Sequence, residues 1–157
     1  SGFSSLFENR YWLIVYDKQT NETKKLIKFF EKLGSIVEIV NTEYHDRILA
    51  ITSHLPHLIA YTIVGTASDL ETDLKNDVIK FSASGFRDFT RIASSDPIMW
   101  RDVFLNNSDA VLEMIQRFNE DLSDLQKAIR KKDGDKLHSF FSRTRSIRKK
   151  IIDAGQI

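Results

Sequence analysis

Residues 42–64, TEYHDRILAITSHLPHLIAYTIV, read as one long helix carrying His45, His54 and His57, three of the four histidines in the chain. Pro56 sits inside it, between His54 and His57. A proline within a helix removes one backbone N–H and crowds the carbonyl four residues earlier, here that of Thr52. The sequence therefore predicts a kink costing about 3 kcal/mol. Ile48, Leu49, Ile51, Leu55, Leu58 and Ile59 surround the kink on most sides, the pattern of a helix buried in a domain interior. Such a helix needs a reason to carry Ser53, His54 and His57.

Upstream, residues 11–16 (YWLIVY) form an apolar, aromatic and β-branched run suited to a buried strand. Thr20 or Asn21 is placed to cap a helix that carries Leu26, Ile27, Phe29, Phe30 and Leu33 and ends at Gly34. Residues 35–40 (SIVEIV) supply a second strand. Strand, helix and strand in about thirty residues make a βαβ unit with parallel strands. One such unit cannot cover both faces of its own sheet, as parallel sheets require. Residues 11–40 are thus expected to be the trailing edge of a larger α/β domain.

Downstream, the patterns are all helical. Ser68 or Asp69 can open a stretch over 69–95, with Leu70, Leu74, Ile79, Phe86, Phe89 and Ile92 as core positions. Gly85 lies in it beside Ser82, Ala83 and Ser84, small residues that admit close approach by another backbone or a ligand. Asp96-Pro97 signals a restart, with Asp as N-cap and Pro in the first turn ahead of Ile98, Met99 and Trp100. From Ser108 the positions Val111, Ile115, Phe118, Leu122, Leu125 and Ile129 alternate four and three apart, a heptad-like seam. A turn at 131–135 (KKDGD) and a last helix with Leu137, Phe140, Phe141, Ile147 and Ile151 complete an αα-hairpin. The boundary is expected near Asn41-Thr42, giving a strand-containing part over 1–41 and a helical part over 42–157.

The totals exclude several classes. With 157 residues, 41% hydrophobic and 29% charged, the chain has the composition of an ordinary globular protein with a sizeable core. A net charge of +1 gives no bias toward nucleic acid or an anionic membrane. The absence of cysteine rules out disulfides and thiolate ligands and fits a cytoplasmic location. The apolar runs fall short of the roughly 20 residues that span a bilayer, so neither a membrane nor nucleic acid is expected as partner. The chain opens on Ser1 with no signal-peptide pattern, and it is expected to be a processed or cut piece of something longer.

His54 and His57, three apart, share a helix face. A metal would want a third ligand or a nearby acid, and the zincin pattern needs a Glu after the first His and a four-residue step; neither is present, and no metal site is expected. Core histidines satisfied by backbone groups remain an alternative to a pocket role. His45-Asp46-Arg47 suits capping and local ion pairing at a helix start. Arg87, Asp88 and Arg91 form a second cluster, Arg87 and Arg91 four apart on one face and Arg91 flanked by Thr90 and Ile92 within an otherwise apolar stripe. Bidentate capture of a carboxylate fits it; so does a surface ion pair with Asp88 or Asp96. Spacing leaves both open. The basic run Arg143, Arg145, Arg148, Lys149 and Lys150 reads as a solvated face, without aromatics arranged for nucleic acid. The six glycines are too scattered for a dinucleotide or phosphate loop. What the residues describe is a buried helical pocket with imidazoles and an arginine, suited to an anion.

HDRILAITSHLPHLIAYTIV (45–64) followed by GFRDFTRIASSDPIMWRDVFLNN (85–107) resembles the C-terminal region of the prephenate dehydrogenase family, which includes cyclohexadienyl and arogenate dehydrogenases. The resemblance covers essentially the whole chain, and SHLPH with GFRDFTRIASSDPxMW at this separation is highly specific. It implies a mainly α fold, an all-helical dimerisation domain like the C-terminal domain of 6-phosphogluconate dehydrogenase. A short βαβ remnant of a Rossmann domain precedes it, most of that domain being absent. It implies an intertwined homodimer and oxidative decarboxylation of prephenate to 4-hydroxyphenylpyruvate with NAD or NADP, in tyrosine biosynthesis. An arogenate-preferring enzyme and a non-catalytic helical binding or assembly module are the alternatives. By the resemblance the catalytic histidine belongs to the nucleotide domain, and no residue here matches it; the chain alone is expected to bind no cofactor and to be inactive. Its contribution would be substrate binding. Arg91 matches the arginine that pairs with a substrate carboxylate, while His57 and Ser53 match pocket residues of the kinked helix. Gly85, Arg87, Asp88 and Trp100 match the pocket rim, supplied partly across the dimer interface.

Overall fold

The computed structural model describes residues 3, 5–16, 18–70 and 72–154, without the side chains of Thr72, Asp73, Lys75 and Ile79. Strands β1 (Tyr11–Val15) and β2 (Ile36–Val40) pair in parallel, Tyr11 opposite Ile36 through Val15 opposite Val40, and helix α1 (Asn21–Lys32) connects them. Thr20 starts α1 by a reciprocal cap. Its hydroxyl oxygen accepts from the Thr23 amide at 3.2 Å, and the Thr23 hydroxyl oxygen accepts from the Thr20 amide at 2.8 Å. Gly34 ends the helix at φ +85°: the Ser35 amide donates to the Phe30 carbonyl and the Gly34 amide to that of Glu31, the paired bonds of a Schellman turn. Trp12 stacks on Phe30 at 3.7 Å between ring centroids, Phe7 lies against both, and Ile14 is buried. Tyr11, Leu13, Val15 and Ile36 stay exposed. These apolar residues leave one side of the small sheet uncovered, as the βαβ pattern anticipates.

Residues 42–68 are helical throughout, in three pieces: α2 (Thr42–Leu49), a π-helical turn (Ala50–His54) and α3 (Leu55–Ser68). Asn41 caps α2 through its side-chain oxygen, which accepts from the Tyr44 amide at 2.8 Å. The expected proline kink is resolved by the π turn. The Leu55 amide donates to the Ala50 carbonyl five residues back, and Pro56 then falls in the first turn of α3, where a missing N–H costs little. Nearby carbonyls find side-chain donors instead: the Thr52 hydroxyl donates to Ile48 at 2.7 Å and the His57 ring to Ser53 at 2.9 Å.

One expectation needs correction here. Only Ala50, His54, Leu55 and Ala60 of this helix are buried, and Ile51 and Val64 are exposed, so it is a half-covered helix rather than an interior one. Its short helical neighbours cannot wrap all of its faces. The stretch Thr42–Ser68 is also long and apolar enough to cross a membrane by length and composition, although no unbroken apolar run suggested it; the core helix of a soluble protein passes the same test.

The stretch over 69–95 divides as well. Asp69 closes α3, its amide donating to Gly65, rather than opening the next helix. Helix α4 (Thr72–Phe81) breaks at Ser82-Ala83, α5 (Ser84–Thr90) follows, and a 3-10 turn occupies Arg91–Ser94. The break shifts the phase of the apolar positions: Leu70, Leu74 and Phe89 are exposed, Phe86 and Ile92 half-buried. The Ile79 side chain lies outside the described residues. Asp96 caps α6 (Pro97–Asn106), its carboxylate accepting from the Ile98 and Met99 amides at 2.8 and 2.9 Å.

Helices α7 (Ser108–Arg130) and α8 (Gly134–Asp153) form the predicted hairpin. Lys132 turns the corner at φ +54°, and the Asp133 carboxylate caps α8 by accepting from the Lys136 amide at 2.9 Å. Lys127, hydrogen-bonded to Asp124, and then Lys136 hold the Asp124 carboxyl below its ordinary value. By its contacts the chain falls into two compact units, 46–115 in one and 1–45 with 116–157 in the other.

Candidate functional site

Two imidazoles of residues 46–115, those of His54 and His57, meet at Trp100, which is buried on α6. His57 stacks flat on it, centroids 3.7 Å apart and planes 23° from parallel. The His57 Nδ1 lies 2.9 Å from the Ser53 carbonyl, which can only accept, so Nδ1 carries a proton and Nε2 is the nitrogen left for other partners. Ser53 enters the site by this carbonyl, placed by the π turn; no hydrogen bond of its hydroxyl is seen among the described residues.

His54, also buried, stands edge-on to Trp100 at 6.1 Å and to Phe104 at 6.5 Å. The Asn107 side-chain amide donates to the Asp46 carbonyl at 2.9 Å and faces His54 Nδ1 at 3.1 Å. Phe104 and Asn107 were not singled out in the sequence. They close the quoted motif as FLNN, indistinguishable there from any polar helix end.

Arg91 opens the 3-10 turn, and its side chain is exposed rather than held in an apolar stripe. The change from helix to 3-10 turn at that residue accounts for the difference. Its turn packs on α3, and the Tyr61 hydroxyl, one helical turn beyond His57, donates to the Ser95 carbonyl at 2.7 Å. Arg87 and Asp88 are exposed on α5. Among the described residues, the side chains of Arg87, Asp88 and Arg91 form no ion pair or hydrogen bond, and the Asp96 carboxylate is occupied as a helix cap. Open space surrounds Gly85, where an added Cβ would meet nothing within 4 Å. In the last turn of α2, Arg47 pairs with Glu113 at 3.2 Å, both half-exposed. No group of three or more His, Cys, Asp or Glu able to hold a metal occurs among the described residues.

Residues 41–143 match the sequence profile of the prephenate dehydrogenase dimerization domain. The chain belongs to the prephenate dehydrogenase family. It is 35% identical to the cyclohexadienyl dehydrogenase of Zymomonas mobilis, over 94% of this chain and 51% of that protein. It is 33% identical to the prephenate dehydrogenase of Lactococcus lactis, over 92% of this chain and 39% of that one. Among solved structures, the prephenate dehydrogenase of A. aeolicus in complex with hydroxyphenyl propionate and NAD+ superposes with a TM-score of 0.84 at 35% identity. That match covers 94% of this chain and 52% of the other. The chain thus spans about half the length of these relatives, or less. Its fold is that of the family's helical dimerisation domain, preceded by a two-stranded parallel βαβ unit.

The turn into α1 lacks the features of a dinucleotide-binding turn. The turn from β1 to α1 holds no glycine. The amide of Thr23 at the start of α1 is taken by the Thr20 hydroxyl, and Glu22 puts an acid in the first turn. A helix start closed in this way does not suit a pyrophosphate.

Proposed function

We propose that this chain is the substrate-binding and dimerisation part of a prephenate dehydrogenase, an enzyme that oxidatively decarboxylates prephenate to 4-hydroxyphenylpyruvate with NAD or NADP in the route to tyrosine. Residues 42–157 are the dimerising, substrate-binding domain in this reading, and 1–41 belong to the nucleotide-binding one. The enzyme acts as a cytoplasmic homodimer. The cofactor and the catalytic histidine lie in the part of the relatives that this chain does not span.

The observation that carries the reading is the tie between α3 and the turn of Arg91. The Tyr61–Ser95 hydrogen bond fastens the 3-10 turn to the helix of His57, so an arginine without an ion-pair partner among the described residues and an imidazole with its Nε2 left over belong to one framework. Prephenate carries two carboxylates. Arg91 takes one of them in a charge-assisted pair, and His57 Nε2 bonds the carboxylate or keto group of the side chain. Ser53 fixes the imidazole through its carbonyl, Trp100 supports the ring face, and Gly85, Arg87 and Asp88 form the rim. Holding a dianion in one orientation is a large share of the catalysis of such a reaction. An amino side chain, as in arogenate, can also meet His57.

The test is Arg91→Ala in the complete dehydrogenase containing this chain. Losing a carboxylate pair costs roughly 2–4 kcal/mol, so KM for prephenate is expected to rise about 30-fold or more. An unchanged KM removes Arg91 from the site. The isolated chain mixed with prephenate and NAD is expected to give no turnover; turnover would place the whole reaction within it. The alternative, a binding or assembly module without substrate, is favoured if neither wild type nor variant binds prephenate.

A further inference from the structure

We infer that Asn107 is a positioning residue for the imidazole of His57, acting through His54 and Trp100. The inference rests on His57 being the substrate-facing group of the proposed site, but its geometry stands apart from that reading. Asn107 lies at the junction of α6 and α7, and the residues it holds are 61 and 53 positions away in the chain. Its amide nitrogen has two N–H groups. One goes to the Asp46 carbonyl at 2.9 Å, the other to His54 Nδ1 at 3.1 Å. With both donors engaged by acceptors, the amide cannot turn over without losing both bonds.

The consequence passes from ring to ring. His54 Nδ1 accepts, so the proton of the neutral ring sits on Nε2 and the ring plane is set. That plane stands at 78° to Trp100 and 84° to Phe104, the edge-to-face arrangement aromatic pairs favour. Trp100, in contact with both imidazoles, carries His57 stacked at 3.7 Å. The second anchor of His57 is the Ser53 carbonyl. The two histidines therefore adopt opposite tautomers, Nε2–H for His54 and Nδ1–H for His57. Only His57 presents an unprotonated Nε2.

The backbone of Asn107 does separate work: its amide donates to Val103 and its carbonyl accepts from Val111. A side-chain substitution leaves those bonds in place. Asn107→Leu keeps the volume and removes both donors. Asn107→Asp keeps the shape but presents a carboxylate to two acceptors; the mismatch stays at the Asp46 carbonyl and is relieved at His54 only when Nδ1 carries a proton, by a switch of tautomer or by a second proton.

The experiment records side-chain nitrogen NMR of the imidazoles in the 157-residue chain, wild type against both variants. The indole signal of Trp12, remote in sequence and stacked on Phe30, serves as the folding control. In wild type the opposite tautomers are expected. In Asn107→Leu, His54 should average between tautomers and the His57 and Trp100 signals should move, with Trp12 unchanged. In Asn107→Asp, His54 should carry a proton on Nδ1, and a bare Nδ1 there overturns the inference. Identical tautomers in wild type, or unmoved His57 and Trp100 signals in Asn107→Leu, overturn the inference; if that variant does not fold, Asn107→Asp decides alone. In the complete dehydrogenase Asn107→Leu should raise KM for prephenate about fivefold to tenfold with kcat within about twofold, and an unmoved KM overturns it. If wild type neither binds nor turns over prephenate, the functional reading fails while the NMR result still decides the role of Asn107.

Discussion

At the scale of a residue, Trp100 shows how closely packing and polarity compete in this site. It is 7% exposed, touches both imidazoles, and its indole nitrogen has no hydrogen-bond partner among the described residues. A buried donor left unmade costs about 1–3 kcal/mol, whereas truncating a buried Trp to Ala costs about 3–5 kcal/mol. Phenylalanine keeps a ring face against His57 and discards the donor, so the lost volume and the relieved N–H offset one another. Trp100→Phe is expected to change stability by less than about 1 kcal/mol and Trp100→Ala by about 3 kcal/mol or more in urea denaturation. Equal losses would mean that the indole N–H makes an interaction worth as much as the ring packing.

At the scale of an element, two helices end in the same turn with different residues at the critical position. After α1, Gly34 takes the left-handed conformation, and a side chain there would also crowd Glu8, whose Cγ lies 3.2 Å from an added Cβ. After α7 the Asp133 amide donates to Ala128 and the Lys132 amide to Ile129, again the Schellman pair, but the left-handed residue is Lys132 at φ +54°. A side chain costs roughly 1–2 kcal/mol in that region and glycine does not. Lys132→Gly is therefore expected to stabilise the chain by about 1 kcal/mol, read as a rise in denaturation midpoint; a fall would mean that the Lys132 side chain contributes more than its backbone strain.

The same scale explains what the sequence could tell. Caps at Thr20 and Asp96 and the stop at Gly34 were legible because each depends on residues within four positions. The π turn was not: Pro56 announces a lost hydrogen bond, but whether the helix bends or widens depends on which carbonyls find other donors, here those of Ile48 and Ser53. The break at Ser82-Ala83 was hidden among small residues compatible with helix. In the site, SHLPH placed His54 and His57 on one helix, yet their different surroundings come from Trp100 and Asn107, more than forty positions away, and no local pattern carries such a pairing.

At the scale of the whole molecule, the chain leaves much apolar surface that its own residues do not cover. On α7 the heptad positions Leu122 and Ile129 are 52% and 64% exposed, and on α8 Phe141 is 55% exposed. These three, with Leu125 and Leu137, line a groove of about 510 Å³ along the hairpin. Isolated exposed apolar residues need no explanation, but a lined groove on a heptad seam does. The groove lies within residues 41–143, the part matching the family's dimerization domain, and a second copy of the chain is the occupant this suggests. The chain is expected to sediment at twice its 18.2 kDa at micromolar concentration. Leu122→Asp with Ile129→Asp places four carboxylates in such a dimer and removes apolar side chains worth roughly 1.5–3 kcal/mol each when buried, so the double variant should sediment as a monomer with its helical circular dichroism intact. A wild-type monomer would leave the seam for another partner, and a double variant that stays dimeric would move the interface to a different face of the helices.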